Sequence, residues 1–250
     1  SAASDVYKRQ VSDTARVISR MVGLIVWRTY DQAGLEEMAQ HSHVPVINAL
    51  SDEYHPCQIL ADLLTIREHF GELAGRSFAY LGDAANNMAN SYLLGMATAG
   101  MHVRVAGPAG YLPEESIVAR ARELAELTGG SVLVTEDPAQ ALAEADVVCT
   151  DTWVSMGQED QKDARAEVFR PYSIDTAAMD QAAPEAVFMH CLPAYRGSEV
   201  SAEVIDGPRS LVFQEAENRL HAQKALMVWL LAASGQYSLE TGEITLPELG

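Results

Sequence analysis

The chain has 250 residues, 48% hydrophobic and 21% charged, with 17 Lys plus Arg against 35 Asp plus Glu and a formal net charge of −18. This is a globular composition, and it excludes a disordered tail or a low-complexity scaffold. Such an acidic chain is a poor candidate for tracking nucleic acid or an anionic membrane, although a few placed arginines still permit a small anionic substrate. The length suggests one or two domains, with enough chain to bury a core. No apolar run approaches the ~20 residues of a membrane span. Cysteines at 57, 149 and 191 are odd in number and scattered, with no CxxC pair, so neither a disulfide framework nor a zinc site is indicated. A reducing, cytoplasmic setting is expected.

Residues 1–10 have no apolar period and no signal-peptide core, and read as a non-native scar. From Ser12 a regular pattern begins. Ser12 caps a helix carrying Ala15, Val17, Ile18, Met21 and Val22. Leu24–Trp27 is a short apolar run, read as a strand that ends at Arg28. A helix near Leu35–Gln40 and a strand over Val44–Leu50 follow. Then Tyr54-His55-Pro56-Cys57-Gln58 leads into a helix with Ile59, Leu60, Leu63, Leu64 and Phe70 at helical spacing, stopped by Gly71. The Gly71–Gly75 stretch is the expected domain boundary.

The alternation then repeats. Strands are predicted at Phe78–Leu81, Met101–Ala106, Ser131–Thr135, Val147–Thr150, Val187–Met189 and Leu211–Phe213. Helices are predicted around Tyr92–Ala97, over Glu114–Leu127 and Pro138–Glu144, and finally over Ala222–Leu231. Strands alternating with helices indicate βαβ units and parallel sheets. The fold class is therefore α/β: two parallel-sheet domains, the first incomplete, joined by interdomain helices.

In open α/β sheets ligands lie beyond the carboxyl ends of strands, so the strand-to-loop junctions are the informative places. His55 and Gln58 sit at a helix start, where they can donate to an anion or a polarised carbonyl, or simply cap an X-Pro turn. Asp151, followed by Thr152-Trp153-Val154-Ser155-Met156-Gly157, can pair with a substrate ammonium or cap the next helix. His190-Cys191 suggests thiol catalysis. Adjacent residues leaving a strand point to opposite sides, however, so a substrate-contacting Cys191 is the better reading. Asn86-Asn87 can recognise a carboxylate, and the stretch is not a GxGxxG fingerprint. Glu217-Asn218-Arg219 opens or precedes the last helix, where Arg219 can clamp a phosphate or form a surface ion pair. His41 and His43 lack a third metal ligand; His69, His102 and His221 read as surface or packing residues, and Cys149 as core.

Together, His55-Pro56-Cys57-Gln58, Gly82-Asp83…Asn86-Asn87-Met88, Asp151-Thr152-Trp153-Val154-Ser155-Met156-Gly157, His190-Cys191-Leu192-Pro193 and Glu217-Asn218-Arg219 resemble the ornithine carbamoyltransferases, within the aspartate/ornithine carbamoyltransferase family, over roughly residues 11–250. The resemblance implies that Arg28, His55, Gln58, Leu192 and Arg219 bind carbamoyl phosphate. It implies that Asn87, Asp151, Ser155, Met156 and Cys191 bind ornithine, and that Arg28, His55 and Cys191 surround the reacting centre. The implied domains are 11–73, a partial carbamoyl-phosphate domain on which the C-terminal helix 215–250 packs back, and 74–214, the ornithine domain. The family's phosphate motif, Ser-Thr-Arg-Thr-Arg, occurs nowhere in the chain. The chain is therefore expected to be N-terminally truncated and inactive by itself.

The implied reaction is carbamoyl transfer to the side-chain amine of L-ornithine, giving citrulline and phosphate. An amine of pKa about 10.4 is only ~0.4% neutral at pH 8, so the site must favour the neutral nucleophile. Asp151 serves the α-ammonium, desolvation favours the free amine, and Arg28 and His55 stabilise charge on the carbamoyl oxygen. Phosphate takes the proton. No metal or organic cofactor is implied. A homotrimer with shared sites is implied as the assembly, with no nucleic-acid or membrane partner. The alternatives are a non-catalytic amino-acid-binding fragment, or a carbamoyltransferase for N-acetylornithine or putrescine.

Overall fold

The computed structural model describes residues 11–153, 162–238 and 240. Contacts divide the chain into two units, 1–57 with 220–250, and Gln58–Arg219. The divisions fall within two long helices.

In the first unit, helix α1 spans 11–18. Strand β1 (Ile25–Arg28), helix α2 (Gln32–His41) and strand β2 (Val46–Leu50) follow. β1 and β2 pair in parallel. Asp31 caps α2, its side chain accepting from the Ala33 amide at 3.1 Å. A small core gathers Val11, Ala15, Ile25, Met38 and Val44. The apolar side expected for the first helix is only partly buried. Ala15 is inside, whereas Val17, Ile18, Met21 and Val22 are exposed, and the helix ends before Met21.

Helix α3 (Pro56–Phe70) enters the second unit, where a five-stranded parallel sheet is ordered β5-β4-β3-β6-β7. Its strands are β3 (Ser77–Leu81), β4 (His102–Ala106), β5 (Ser131–Thr135), β6 (Val147–Thr150) and β7 (Val187–His190). The connecting helices are α4 (Asn87–Thr98), α5 (Glu115–Thr128), α6 (Pro138–Leu142), α7 (Lys162–Phe169), α8 (Thr176–Met179) and α9 (Ala202–Ile205). β3, β6 and β7 are buried along their whole length, as continuous apolar runs covered on both faces should be. One face packs on Ile59, Ile66, Tyr92, Leu93 and Met96, and the other on Leu142, Ile174, Met179 and Ile205. Cys149 lies in the first of these clusters, as expected.

The sequence-derived strands match these with end shifts of one or two residues, except the last. Leu211–Phe213 is not a strand. Phe188 donates to Arg209 O at 2.8 Å and accepts from Leu211 N at 2.9 Å, and the backbone turns into helix α10 at Val212. This helix runs for 22 residues to Ala233, ten residues earlier in start than expected for Ala222–Leu231. Glu217-Asn218-Arg219 therefore lies inside it. The apolar triplet Leu211–Phe213 gave the wrong reading because only Val212 is buried, while Phe213 points to solvent. Among the described residues no helix is long and apolar enough to cross a membrane.

Helices α3 and α4 touch at Gly95, where an added Cβ would lie 2.3 Å from Ile59 Cγ2. Gly95→Ala should therefore destabilise the protein by about 1–3 kcal/mol despite alanine's better helix propensity. Urea unfolding of Gly95→Ala, Ile59→Ala and the double variant should show the double less destabilised than the sum of the singles; strict additivity would mean that this contact does not set the helix spacing.

Candidate active site

The order of the second sheet fixes where a site can form. The chain builds β3, β4 and β5 outward, then returns to place β6 on the other side of β3. Connections on the two sides of β3 diverge, leaving a crevice at the carboxyl ends of β3 and β6. Those ends carry Gly82-Asp83 and Asp151, and β7 beside them ends at His190-Cys191.

The backbone turns sharply at Gly82, which has φ +132 and whose missing Cβ would contact Thr150 Oγ1 and the Trp153 ring. Asp83 then meets Arg165 of α7 in a buried ion pair. The same guanidinium donates from Nε to the Trp153 carbonyl and lies over the Tyr111 and Phe169 rings. Neither Asp83 nor Arg165 figured in the site expected from the sequence. Asp83 stood within a motif, but a lone arginine in an amphipathic helix carries no signal that it is buried.

Asn86 caps α4. Its Oδ1 accepts from Ala89 N at 2.8 Å, while its amide donates to Tyr80 Oη at 3.2 Å and toward Asp151 Oδ2 at 3.5 Å. Asn87, the first residue of the helix, is half-buried at the same junction. Asp151 also accepts from its neighbour Thr152 N at 2.7 Å and from the Cys191 thiol at 3.3 Å. Among the described residues no Lys or Arg is in ion-pair contact with it. Burial raises its carboxyl above the usual range, an effect that the bonds from Thr152 N–H and the Cys191 thiol reduce.

His190 and Cys191 take different roles. His190 is wholly buried; its Nδ1 accepts from Leu192 N at 2.9 Å and its Nε2 faces Glu199 Oε1 at 3.5 Å. This fixes the tautomer with the proton on Nε2. Glu199 in turn accepts from Tyr195 N. Cys191 faces Asp151 instead, and burial, aided by Asp151 and Glu215, pushes its thiol well above the ordinary range. It is a hydrogen-bond donor, not a nucleophile paired to His190. Asp151, His190 and Cys191 bring ligand-type atoms within 4.8 Å of one another. The imidazole acceptor is already occupied by Leu192 N–H, and the thiol is held protonated, so the group does not fit a resident metal. Leu192 takes a left-handed conformation, φ 55, and precedes a cis peptide to Pro193. For a leucine that conformation costs about 1–2 kcal/mol, and it is pinned here by the Leu192 N–His190 bond.

Arg28 and His55 lie in the first unit. Arg28 is exposed at the carboxyl end of β1, opposite Leu50. The corner after β2 is tied by Ser51, which donates to Gln32 Oε1 at 2.7 Å and accepts from Tyr54 N at 3.0 Å. This delivers His55 to the position just before Pro56, the first residue of α3. Gln58, in the second unit, is turned into the interior. Its Nε2 donates to Asp62 Oδ1 at 2.8 Å and Glu215 Oε1 at 3.1 Å, and its Oε1 has no donor among the described residues. Leu192 stands beside Cys191, and Arg219 is half-buried in the second turn of α10. Ser155 and Met156 lie outside the described residues. Asn87, Asp151, Cys191 and Leu192 are thus brought to one sheet edge.

The acid, amide and thiol that converge at the switch point of this parallel sheet form a polar small-molecule site of the kind that open α/β proteins carry. The family models make the assignment. The carbamoyl-phosphate-binding domain of the aspartate/ornithine carbamoyltransferases matches residues 1–68, and their Asp/Orn-binding domain matches residues 74–230. The ornithine carbamoyltransferase of Renibacterium salmoninarum is 66% identical over 228 residues, 91% of this chain and 73% of that protein. Solved structures of ornithine carbamoyltransferases from Gloeobacter violaceus and Pyrococcus furiosus superpose with TM-scores of 0.82 and 0.85, at 49% and 46% identity. They match 88% and 89% of this chain and 74% and 71% of theirs. The chain belongs to the aspartate/ornithine carbamoyltransferase family.

The hydrogen-bond donor role of Cys191 has a direct check. Iodoacetamide should label Cys191 in the folded protein at least ~10-fold more slowly than a free thiol at pH 8, with a rate still rising above pH 9. A rate that levels off below pH 8 would mean that the thiol is ionised.

Proposed function

We propose that the site of this chain serves the ornithine carbamoyltransferase reaction, in which the carbamoyl group of carbamoyl phosphate moves to the side-chain amine of L-ornithine. The observation that carries the reading is Asp151: a half-buried carboxylate at the switch point, met by an amide and a thiol but by no Lys or Arg among the described residues. Burial disfavours its charge, so an ammonium ligand offsets a cost that the protein alone leaves standing. The α-ammonium of ornithine is such a ligand. Asn87 at the start of α4 suits its carboxylate, and Ser155 and Met156 complete the recognition by resemblance.

On the carbamoyl-phosphate side, the reading assigns the phosphate to Arg28 and Arg219 and the carbamoyl oxygen to Arg28 and His55. Gln58 belongs to this side by resemblance alone, since its side chain is turned into the interior between Asp62 and Glu215. Leu192, held with its backbone in the left-handed region, lines the reacting carbon. The side-chain amine of ornithine attacks as the neutral base, the C–O bond to phosphate breaks, and phosphate leaves with the proton. The chain's contribution is positioning and electrostatics, and no metal enters. The same reading includes a homo-oligomer, a trimer by the family's pattern, and a cytoplasmic setting.

Two measurements test the reading, made on the protein with whatever residues its gene encodes ahead of Ser1. Citrulline formation should be preferred over carbamoylation of putrescine, aspartate or N-acetylornithine. A preference for one of those three would replace ornithine as the substrate, and no turnover of any would favour an amino-acid-binding protein. Asp151→Asn should weaken ornithine binding by about 1.5–3 kcal/mol, roughly 10- to 150-fold, with carbamoyl-phosphate affinity little changed in titration calorimetry. Equal losses for both would make Asp151 a structural cap.

A further inference from the structure

Behind the turn at His190 lies a buried acidic pair that the reaction above does not use. Asp62 of α3 and Glu215 in the first turn of α10 are both fully buried. One amide, Gln58 Nε2, donates to both, at 2.8 Å and 3.1 Å. The other Glu215 oxygen accepts from the His190 backbone N–H at 2.8 Å. Asp62 Oδ2 is buried and makes no hydrogen bond of normal geometry among the described residues, although the Tyr92 hydroxyl lies near enough to favour its charged form. No Lys or Arg is in ion-pair contact with either acid among the described residues. The groups that face the pair are Tyr92 of α4, Cys149 of β6, Cys191 after β7, and Arg219 on the same helix as Glu215. Arg219 is the one cation among them, and the Tyr92 hydroxyl also favours the charged form of Asp62. Two bridged carboxylates in a dry interior, without a contacting cation, do not both ionise at neutral pH. A proton between them supplies the donor that Asp62 Oδ2 lacks.

We propose that Asp62 and Glu215 share one proton in the folded protein, and that Glu215, through its bond to the His190 amide, is a positioning residue for Cys191 and Leu192. The second half rests on the carbamoyl-transfer reading; the first does not. Loss of the shared proton to solvent base leaves two carboxylates side by side. Their repulsion parts them, Glu215 withdraws from His190 N–H, and the turn that holds Leu192 in its left-handed conformation loses its anchor. Burial raises Asp62 to about 6 and Glu215 well above its ordinary value, in the direction this requires. With folded values raised, the pair stabilises the fold most below the ordinary carboxylate range, and this stability is lost as pH rises, first through about 6 for Asp62.

The test compares the unaltered protein with Glu215→Gln, whose oxygen still accepts from His190 while its amide, in place of the Oε1 that met Gln58, can donate to Asp62. Infrared spectra at pH 7 should show a protonated-carboxyl band that Glu215→Gln lacks. The protection of the His190 amide, with the intrinsic base-catalysed rise in exchange divided out, should fall at least ~10-fold on the alkaline side in the unaltered protein but not in Glu215→Gln, and the alkaline limb of kcat should move to higher pH in the variant. Absence of the band, or an equal alkaline loss of protection in both proteins, overturns the shared proton. An unmoved kcat limb beside altered exchange overturns the positioning role. If Glu215→Gln does not fold, Asp62→Asn makes the same comparison from the other side. Absence of citrulline formation in the unaltered protein counts against the carbamoyl-transfer reading, while the band and the amide exchange still decide the shared proton.

Discussion

Placing carboxylates at the edge of an apolar sheet is the constraint around which the second unit is arranged. Five acids lie at or behind the carboxyl ends of β3, β6 and β7, where ionised groups are costly unless paired or hydrogen-bonded. Each is accommodated differently. Asp83 has an arginine, and Glu199 faces the Nε2 side of His190. Asp62 and Glu215 have each other and the Gln58 amide. Asp151 has only neutral donors around it. The acid left without a contacting cation at the mouth of the crevice is the one suited to a cationic ligand.

These solutions are linked through short stretches of backbone. Glu215 holds His190 N, His190 holds Leu192 N, and Cys191 between them reaches Asp151. On the other side, Arg165 joins Asp83 to the carbonyl of Trp153, two residues beyond Asp151. The carboxylate proposed to bind ornithine is therefore set between two buried polar networks, one anchored in α7, which follows it in the chain, and the other in the distant helix α10. Rigid support of this kind holds a reacting group within the narrow tolerances that catalysis by positioning demands.

Local patterns made most of the fold legible. Short apolar runs separated by amphipathic helices marked the parallel strands, and turn residues such as Gly71 marked where helices stop, its amide closing on Arg67 O at 2.8 Å. The misread segments are those where local pattern and tertiary role part company. Leu211–Phe213 looks like a strand because it is apolar, yet one bridge to Phe188 satisfies its backbone and a helix follows. Val17 and Ile18 suggested an inward face on α1 that the described structure leaves largely exposed.

The sequence by itself determined the α/β class and the junctions at which Asp151, Asn87, Cys191 and His55 stand, because strand periodicity and turn chemistry are local properties. It also carried the family, since several motifs in fixed order are far more specific than any one of them. Only the tertiary structure decided which acids have partners. Asp83 finds Arg165 and Glu215 finds Asp62 across 82 and 153 positions of chain, and no local rule reports a hydrogen bond that exists only after distant helices have packed. It alone decided that Gln58 turns inward and that Cys191 faces a carboxylate, because those orientations follow from what fills the space around them.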